Sequence, residues 1–356
     1  GLLRIVLPDS ITAVEGSAFS GCTSLASAKL SNELVSIGKR AFQDCPALTA
    51  ISIPESVVEI GEEAFINCTT LKTVTLSEGL NVIGKSAFNG CKAIVNLSVP
   101  DSVVTIGDSA FSGCTGLKTV KLSNSLTAIS NYCFNGCVGI ETIDIPEGVA
   151  TIGSSAFYGC TGLKSVTIPN TVTTLEKYAF YNCSGLQDID LPASVVEIGD
   201  SAFGGCIGLT KVIIPSGVTV INQSTFSDCK GLKSVEIPDT VTKIGYSAFY
   251  GCSGLASINI PSSVTSIEGS AFRNSGLRSV NIPSSVTSIG YYAFWCGQLE
   301  KIAFYNPDCV IYNNADTIYK DATIYGYANS SAQSYAEKYN RKFVLLGDHE
   351  HTYTSV

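Results

Sequence analysis

A phrase of 23 residues recurs without interruption through most of this chain. Its clearest mark is a phenylalanine that returns every 23 residues and, at the last step, after 22: Phe19, Phe42, Phe65, Phe88, Phe111, Phe134, Phe157, Phe180, Phe203, Phe226, Phe249, Phe272 and Phe294. A cysteine lies three residues after each of the first eleven, from Cys22 to Cys252. A period between 20 and 50 residues is typical of solenoids, and it constrains the fold more than any other property of a sequence.

Each repeat is too short to bury its own apolar side chains. In template form it reads L-x-x-[VI]-x-[IL]-P-x-x-V-x-x-I-G-x-x-A-F-x-x-C-x-x, with eight apolar positions among 23. Stacking buries these positions, because each repeat covers the apolar face of its neighbour. The sequence therefore predicts a repeat solenoid of about thirteen repeats over residues 1–304.

Two segments of the repeat have the alternation of short β-strands. In "LKSVEIP", residues 232–238, Val235 and Ile237 point inward while Ser234 and Glu236 point outward. "VTKIG", residues 241–245, alternates in the same way and predicts a second short strand. Strands of successive repeats are expected to pair in parallel, about 4.8 Å apart. The first strands then form the concave sheet of an arc.

The rest of the repeat predicts the opposite side of the arc. "YSAFYGC", residues 246–252, has adjacent Ala and Phe and a spacing that a helix tolerates. We expect one helical turn here in each repeat, on the convex side.

The phrases "L-x-x-I-x-I-P" and "I-G-x-x-A-F-x-x-C", together with the 23-residue period, resemble the BspA-like class of bacterial leucine-rich repeat. The resemblance covers most of the chain. It implies a leucine-rich-repeat arc with an α/β C-terminal cap. It also implies a bacterial cell-surface or secreted adhesin that binds host proteins or other cells.

The template ends near residue 304, and three regions follow from this. Residues 1–304 are the predicted solenoid, 305–347 the predicted cap of strand, helix and strand, and 348–356 a tail or linker to a further module. In the cap, Ala332, Tyr335, Ala336 and Tyr339 have helical spacing, with Ser330 or Ser331 as the N-cap. The N-terminus has no counterpart cap, so either the natural protein continues upstream or Gly1 is a cloning remnant.

Composition excludes some partners. The net charge is -8 and no run of basic residues is present, which argues against nucleic acid, since phosphate binding needs clustered Lys and Arg. No apolar stretch approaches the roughly 18 residues that a membrane span needs. No signal peptide is present, so a location at the cell surface or outside the cell rests on the resemblance. We expect a monomer.

The fourteen cysteines are expected to be mostly buried and reduced. Equivalent cysteines of neighbouring repeats are predicted about 4.8 Å apart, beyond the roughly 3.5 to 4.5 Å between Cβ atoms that a disulfide needs. A straight row also cannot converge on zinc, so no metal site is expected. Cys133, Cys296 and Cys309 lie outside the series. A bridge between Cys296 and Cys309 stays open as an alternative.

The residues favour a protein that is not an enzyme and carries no cofactor. His349 and His351, the only histidines, lie in the tail; their spacing suits a metal ligand, but a solvated linker is the simpler interpretation. Without a histidine in the body, Ser/His/Asp and Cys/His machinery is absent there. Two carboxylates can hydrolyse a glycosidic bond, but an open sheet supplies no pocket to raise the pKa of one of them.

Two surfaces are candidate ligand sites. The candidate concave patch is mostly acidic and comprises Glu141, Asp144, Asp188, Asp190, Ile213 and Glu236. The candidate aromatic stripe lies on the convex side and comprises Tyr158, Tyr181, Tyr250 and Trp295. The alternatives are a solvated acidic patch and surface tyrosines that merely cover the phenylalanines beneath.

The leading hypothesis is a non-catalytic recognition module for extracellular or host proteins, because a rigid scaffold with variable surface positions suits wide contacts. Two alternatives stay open. A structural spacer would present a neighbouring domain, and the small polar residues of the concave row favour it. A carbohydrate-binding module would use Tyr158, Tyr181 and Tyr250 as platforms for glycans.

Overall fold

The computed structural model describes residues 1–347, and the chain divides into two compact units, Gly1–Leu209 and Thr210–Val356. Each unit is a stack of repeats whose strands pair in parallel with the equivalent strands of neighbouring repeats. The prediction of a leucine-rich-repeat solenoid is confirmed.

The first strand of the repeat is three or four residues long. Its middle residue points into the core and its neighbours point outward, as in Ala50–Ser52, where only Ile51 is buried. In the first unit these strands are Arg4–Val6, Ser27–Lys29, Ala50–Ser52, Thr73–Thr75, Asn96–Ser98, Thr119–Lys121, Thr142–Asp144 and Ser165–Thr167. In the second unit they are Lys211–Ile213, Ser234–Glu236, Ser279–Ile282, Lys301–Phe304, Thr323–Gly326 and Phe343–Leu345. The surface made by their outward residues is called the first-strand face below.

The second strand of the repeat is two residues long. In the first unit these strands form a five-stranded and a four-stranded sheet: Ala13–Val14, Ser36–Ile37, Glu59–Ile60, Val82–Ile83 and Thr105–Ile106; then Ala128–Ile129, Thr151–Ile152, Thr174–Leu175 and Glu197–Ile198. In the second unit they form one five-stranded sheet: Val220–Ile221, Lys243–Ile244, Ser266–Ile267, Ser288–Ile289 and Val310–Ile311. The second strand predicted at "VTKIG" is therefore confirmed.

The pairing register equals the sequence period. Arg4 lies opposite Ser27, 23 residues on, and Ser266 lies opposite Ser288, 22 residues on. The shortened repeat thus joins the sheet without a change of face, which matters because a slip by one residue would turn apolar side chains outward.

The repeat phenylalanines form a continuous stack inside each unit. In the first unit the centroids of neighbouring rings, from Phe19 to Phe203, lie 5.1 to 5.8 Å apart and the rings are nearly parallel. In the second unit Phe226, Phe249, Phe272 and Phe294 stack in the same way. From Phe42 onward each of these rings is fully buried. The stack is therefore the centre of the core.

The cysteines make a second ladder along the phenylalanines. The thiol of Cys45 donates to the carbonyl of Phe19, 3.1 Å away, and that of Cys68 donates to Phe42 at the same distance. The carbonyl of Phe19 also accepts the backbone N–H of Cys22 at 3.2 Å. One carbonyl thus joins its own turn to the next repeat. Cysteine suits this position because it is small and apolar and still has a weak donor.

Within residues 1–347, which contain all fourteen cysteines, no disulfide is formed, and every cysteine is buried except the half-buried Cys22. This confirms the prediction that the series is buried, and its reduced state stays a prediction. The structure also decides against the Cys296–Cys309 bridge: the Cys296 thiol lies 2.9 Å from the Phe272 carbonyl and 3.2 Å from Ser275 Oγ.

The helical turn predicted at "YSAFYGC" is wrong. These residues form successive β-turns, with the N–H groups of Ala248 and Tyr250 donating to carbonyls three residues earlier. The intervening N–H groups, of Phe249 and Gly251, donate instead to the next repeat. A helix is not possible here, because every second N–H group is used between repeats.

This turn requires two residues with positive φ. One precedes the "AF" pair, as in Ser247 with φ 54°, and the other lies two residues after the phenylalanine, as in Gly251 with φ 70°. In every 23-residue repeat the second position is Gly, Asn or Asp, the residues that tolerate this conformation best. That regularity is visible in the sequence and would have predicted the turn.

The C-terminal part runs strand, helix, strand. A 3-10 helix, Ala315–Thr317, precedes the strand Thr323–Gly326. The α-helix Ser331–Lys338 follows, and Ser330 is its N-cap, accepting the N–H of Gln333 at 3.2 Å. This confirms Ser330 rather than Ser331 as the cap. The division at residue 304, as a boundary of folding, stays a prediction.

Among the helices of the described residues, none has the length and apolar character needed to cross a membrane.

We predict that Phe157→Ala destabilises the chain by about 3–5 kcal/mol, because it removes a fully buried ring that stacks on Phe134 and Phe180. Urea unfolding followed by circular dichroism measures this. The matched control is the next residue, Tyr158, which is 37% exposed; Tyr158→Ala should cost less than about 1 kcal/mol. Equal losses in both variants would contradict the assignment of the phenylalanine stack as the core.

We also predict that stability falls in alkali. Burial raises the pKa of the Cys160 and Cys206 thiols to about 12, whereas unfolded cysteine ionises near pH 8.5. The contribution of these buried thiols to the free energy of unfolding is therefore fully present below about pH 8.5. This contribution declines as the pH rises toward 12, by up to about 1.4 kcal/mol per pH unit for each thiol.

Urea midpoints at pH 7, 8.5 and 10 test this, and a Cys160→Ala/Cys206→Ala variant should show the shallower pH dependence. In the native chain Cys22 should react first with a thiol reagent, and the buried thiols only on unfolding. Fast reaction of Cys160 in the native chain would contradict the expected protection.

Candidate binding surfaces

Of the acidic residues predicted in the first unit, Asp144 lies on the first-strand face and Glu141 comes just before the same strand, whereas Asp188 and Asp190 lie in a repeat whose first strand does not form. Two of these residues have partners. The Nζ of Lys164 lies 2.6 Å from the Glu141 carboxylate, and this hydrogen bond lowers the pKa of Glu141 below its ordinary value. Asp144 accepts the hydroxyl of Thr167 at 2.6 Å. Both carboxylates are therefore engaged along the stacking direction, one repeat apart.

Asp188 and Asp190 are different. They flank Ile189, which is only 9% exposed, so both carboxylates point outward and both are exposed. Within residues 1–347 neither carboxylate has an ion pair or a hydrogen bond. Asp188 and Asp190 are thus the two carboxylates of this part of the candidate patch that make neither an ion pair nor a hydrogen bond within residues 1–347.

The remaining members of the candidate patch belong to the second unit. Ile213 lies opposite Glu236 in the register of two paired strands and is 52% exposed. Glu236 forms an ion pair with Lys211, 2.6 Å away. The predicted patch therefore consists of two sets of residues, one in each unit, and the structure describes each set separately.

The predicted aromatic stripe also divides by unit. In the first unit Tyr158 and Tyr181 stack with ring centroids 5.2 Å apart, and Tyr178 meets Tyr181 edge-on at 5.6 Å. In the second unit Tyr250 is half-buried, and its hydroxyl accepts the amide of Asn274 at 3.4 Å.

Trp295 is half-buried in a cluster of its own. It contacts Tyr319 and Tyr292 edge-on, at 5.4 and 6.4 Å, and the guanidinium of Arg273 lies 4.6 Å from the centre of the Tyr292 ring. Trp295 therefore packs against its neighbours more than it faces solvent.

The most exposed aromatic surface of the second unit was not predicted. Tyr246, Val310 and Tyr312 line a groove of about 520 Å³, and Tyr291 contacts both tyrosines, with ring centroids 6.1 and 5.7 Å away. These four side chains, called the tyrosine groove, are 37 to 66% exposed. The hydroxyl of Tyr291 donates to that of Tyr246 at 3.1 Å.

A glycine beneath the tyrosine groove positions one of its rings. A Cβ atom on Gly269 would lie 2.8 Å from Cε1 of Tyr291, too close for any contact between carbon atoms. The template did not reveal the groove, because Val310 and Tyr312 lie after its last repeat. The second short strand, Val310–Ile311, nevertheless continues in the sheet and carries both residues into position.

Comparison with known families agrees with this architecture. The model of the BspA type leucine rich repeat region matches six copies, over residues 1–118, 81–210 and 221–316. The chain belongs to the BspA-type leucine-rich-repeat family. The structure is thus assigned to this family by its sequence as well as by its fold.

Solved structures give the same result. A leucine-rich repeat protein from Bacteroides ovatus is 29% identical, with a TM-score of 0.62 over 88% of each chain. The pneumococcal vaccine antigen PcpA is 20% identical, with a TM-score of 0.53 over 97% of this chain and 79% of its own, and shows a similarity of fold. No curated protein matched the chain.

Two features of the described residues bear on catalysis. His349 and His351 lie outside the described residues. Within residues 1–347 no group of three His, Cys, Asp or Glu side chains has the arrangement of a metal site. A general acid needs a raised pKa, and the pKa of Glu141 is shifted in the opposite direction.

We predict that Lys164→Gln returns the pKa of the Glu141 carboxyl to its ordinary value, because the hydrogen bond and charge of Lys164 are the main causes of its depression. An NMR titration of the carboxyl carbon measures this. Lys118→Gln is the matched control and should produce a smaller rise, since Lys118 acts only through its charge. An unchanged pKa in Lys164→Gln would contradict the ion pair.

Proposed function

We propose that this chain is a non-catalytic recognition module, at the bacterial cell surface or secreted, that binds extracellular or host proteins through the tyrosine groove. The observation that carries the proposal is the groove itself: three contacting tyrosines and Val310, all substantially exposed, in one unit. Tyr is enriched among the residues that dominate binding energy at protein interfaces.

The construction of the repeat supports this proposal. The phenylalanine stack and the thiol ladder hold the core without help from the outward side chains. Outward residues therefore vary at little cost in stability. In such a scaffold a cluster of exposed aromatic residues is not required by folding, and exposed apolar patches mark interaction sites.

Family membership supports the location. The BspA-like resemblance implies bacterial surface or secreted proteins, and we extend this to the present chain.

The structural spacer is a second candidate, and one observation favours it. Next to the first strands some charged side chains form ion pairs between neighbouring repeats, as in Glu141 with Lys164 and Arg278 with Glu300. Charges that are paired within the chain suit a stalk that contacts nothing. The exposed tyrosine groove and the unpaired Asp188 and Asp190 favour binding instead.

The test is a binding screen of the folded chain against immobilised extracellular-matrix and plasma proteins. We expect saturable binding to at least one of them. A Tyr291→Ala/Tyr312→Ala variant should weaken it about tenfold or more. Thermal unfolding of the same variant checks that the fold is retained.

Two matched variants identify the face. Tyr158→Ala/Tyr181→Ala removes the aromatic stripe of the first unit, and Asp188→Asn/Asp190→Asn removes the exposed carboxylates; both should leave binding unchanged. A loss confined to either of these variants would transfer the site to that surface. If the folded chain binds none of the proteins in the screen, the result would favour the structural spacer.

A further inference from the structure

A cleft on the first-strand face of the second unit has a chemistry unlike the rest of that face. It has a volume of about 470 Å³, and its polar and aromatic lining is Ser257, Asn259, Ser279, Asn281 and Tyr305. Ile258, Ile260, Val280 and Pro283 complete it. No charged residue lines this cleft.

The two amides occupy equivalent positions of neighbouring repeats. Val280 is buried, so Ser279 and Asn281 on either side of it point outward. Ser257 and Asn259 have the same positions one repeat earlier, 22 residues away, in a segment that forms no strand. The N–H of Arg278 donates to the carbonyl of Ala256 at 3.1 Å, and all four residues line the same cleft.

These polar groups have no partners inside the chain. Within residues 1–347 the side chains of Asn259, Asn281, Ser257 and Ser279 make no hydrogen bond. On the same face of the first unit Asn96 accepts the hydroxyl of Thr119 at 2.6 Å, so unpaired amides are not a general property of the repeat. The donors and acceptors of this cleft are therefore available to a ligand.

The border of the cleft supplies an aromatic surface. Tyr305 follows the strand Lys301–Phe304 and is 41% exposed. Ala303 is paired with Asn281 in the next repeat and is only 1% exposed, so neighbouring side chains cover this position. Beyond it Tyr325 pairs with Ala303 in register, and the ammonium of Lys301 lies 4.5 Å from the centre of the Tyr325 ring.

The charges nearest to the cleft are already engaged. Arg278 and Glu300 form an ion pair at 3.4 Å, and Lys301 is held over Tyr325. A charged ligand would thus find no free opposite charge in the lining.

We propose that this cleft binds a neutral oligosaccharide. Primary amides and hydroxyls both donate and accept hydrogen bonds, which is what neighbouring sugar hydroxyl groups require. The Tyr305 ring supplies an apolar surface for the C–H face of a sugar ring and keeps a polar tip in water. This site differs from the stripe of Tyr158, Tyr181 and Tyr250 that the sequence suggested for glycans.

A peptide is less well suited to this surface. An extended peptide that is recognised through its backbone adds to the open edge of a sheet. The strand Ser279–Ile282 is the first of its four-stranded sheet, but the preceding repeat lies along its open side, where the N–H of Arg278 donates to the carbonyl of Ala256 at 3.1 Å. Side chains alone would have to hold the peptide, without a charged or deep apolar pocket.

The experiment is a screen of the full chain against a glycan array that includes neutral, sialylated and sulfated oligosaccharides, followed by calorimetry with the best neutral one. We expect saturable binding to neutral glycans. Asn281→Asp, which keeps the shape but replaces the amide by a charge, and Tyr305→Ala should each weaken it about tenfold or more.

Two control variants accompany these. Asn96→Asp makes the same chemical change on the same face of the first unit and should leave binding unchanged, as should Tyr312→Ala in the tyrosine groove. Thermal unfolding verifies the fold of every variant. Binding that survives both Asn281→Asp and Tyr305→Ala, a preference for charged glycans or for a peptide library, or no neutral glycan bound would overturn the proposal.

The two proposals use different residues and fail separately. Enzymatic removal of glycans from the immobilised proteins distinguishes them. Binding through the tyrosine groove should persist, whereas binding through the cleft that contains Asn259 and Asn281, called the amide cleft, should disappear.

Discussion

The structure depends on one constraint: no repeat can bury its own phenylalanine, so each ring must be covered by the rings before and after it. Stacked rings 5.1 to 5.8 Å apart satisfy this in the first unit. Along most of the stack the phenylalanine carbonyl then accepts a backbone N–H from its own turn and a thiol from the next repeat, as at Phe19. Phenylalanine and cysteine therefore act together to fix the distance and the register between neighbouring repeats. This is why both residues recur at the same period.

The turn around the phenylalanine follows from the same constraint. A helix would use its N–H groups internally, but this segment directs every second N–H to the neighbouring repeat. Positive φ before the "AF" pair and two residues after it makes this alternation possible. The backbone at these positions departs from the usual preference of Ser and Tyr, and the tight stack holds it there.

The outward surface is free of these constraints, and its chemistry differs from place to place. Next to the first strands some charged side chains form ion pairs between neighbouring repeats, as in Glu141 with Lys164. Two places differ: the tyrosine groove, where exposed aromatic rings contact one another, and the amide cleft, where polar groups lack partners in the chain. The tyrosine groove suits a protein surface, because exposed aromatic rings bury apolar area in an interface. The amide cleft suits a sugar, because amides donate hydrogen bonds to hydroxyl groups and accept hydrogen bonds from them.

Period and apolar pattern by themselves determined the solenoid, both strands of the repeat, the buried cysteines and the C-terminal helix, since these depend on contacts that recur or are local. The structure decided between Ser330 and Ser331 as the N-cap of that helix. The prediction of a helical turn around the phenylalanine was wrong, although the Gly, Asn or Asp two residues after the phenylalanine in every 23-residue repeat indicates a positive φ at that position. Only the tertiary structure decided the surfaces. It paired Glu141 and Glu236 with lysines, packed Trp295 against Tyr292 and Tyr319, and carried Tyr305 and Tyr312 into position. The physical reason is that many of these partners lie about one repeat away in the sequence, and whether two long side chains meet, or leave an amide unpaired, depends on their geometry and not on the period.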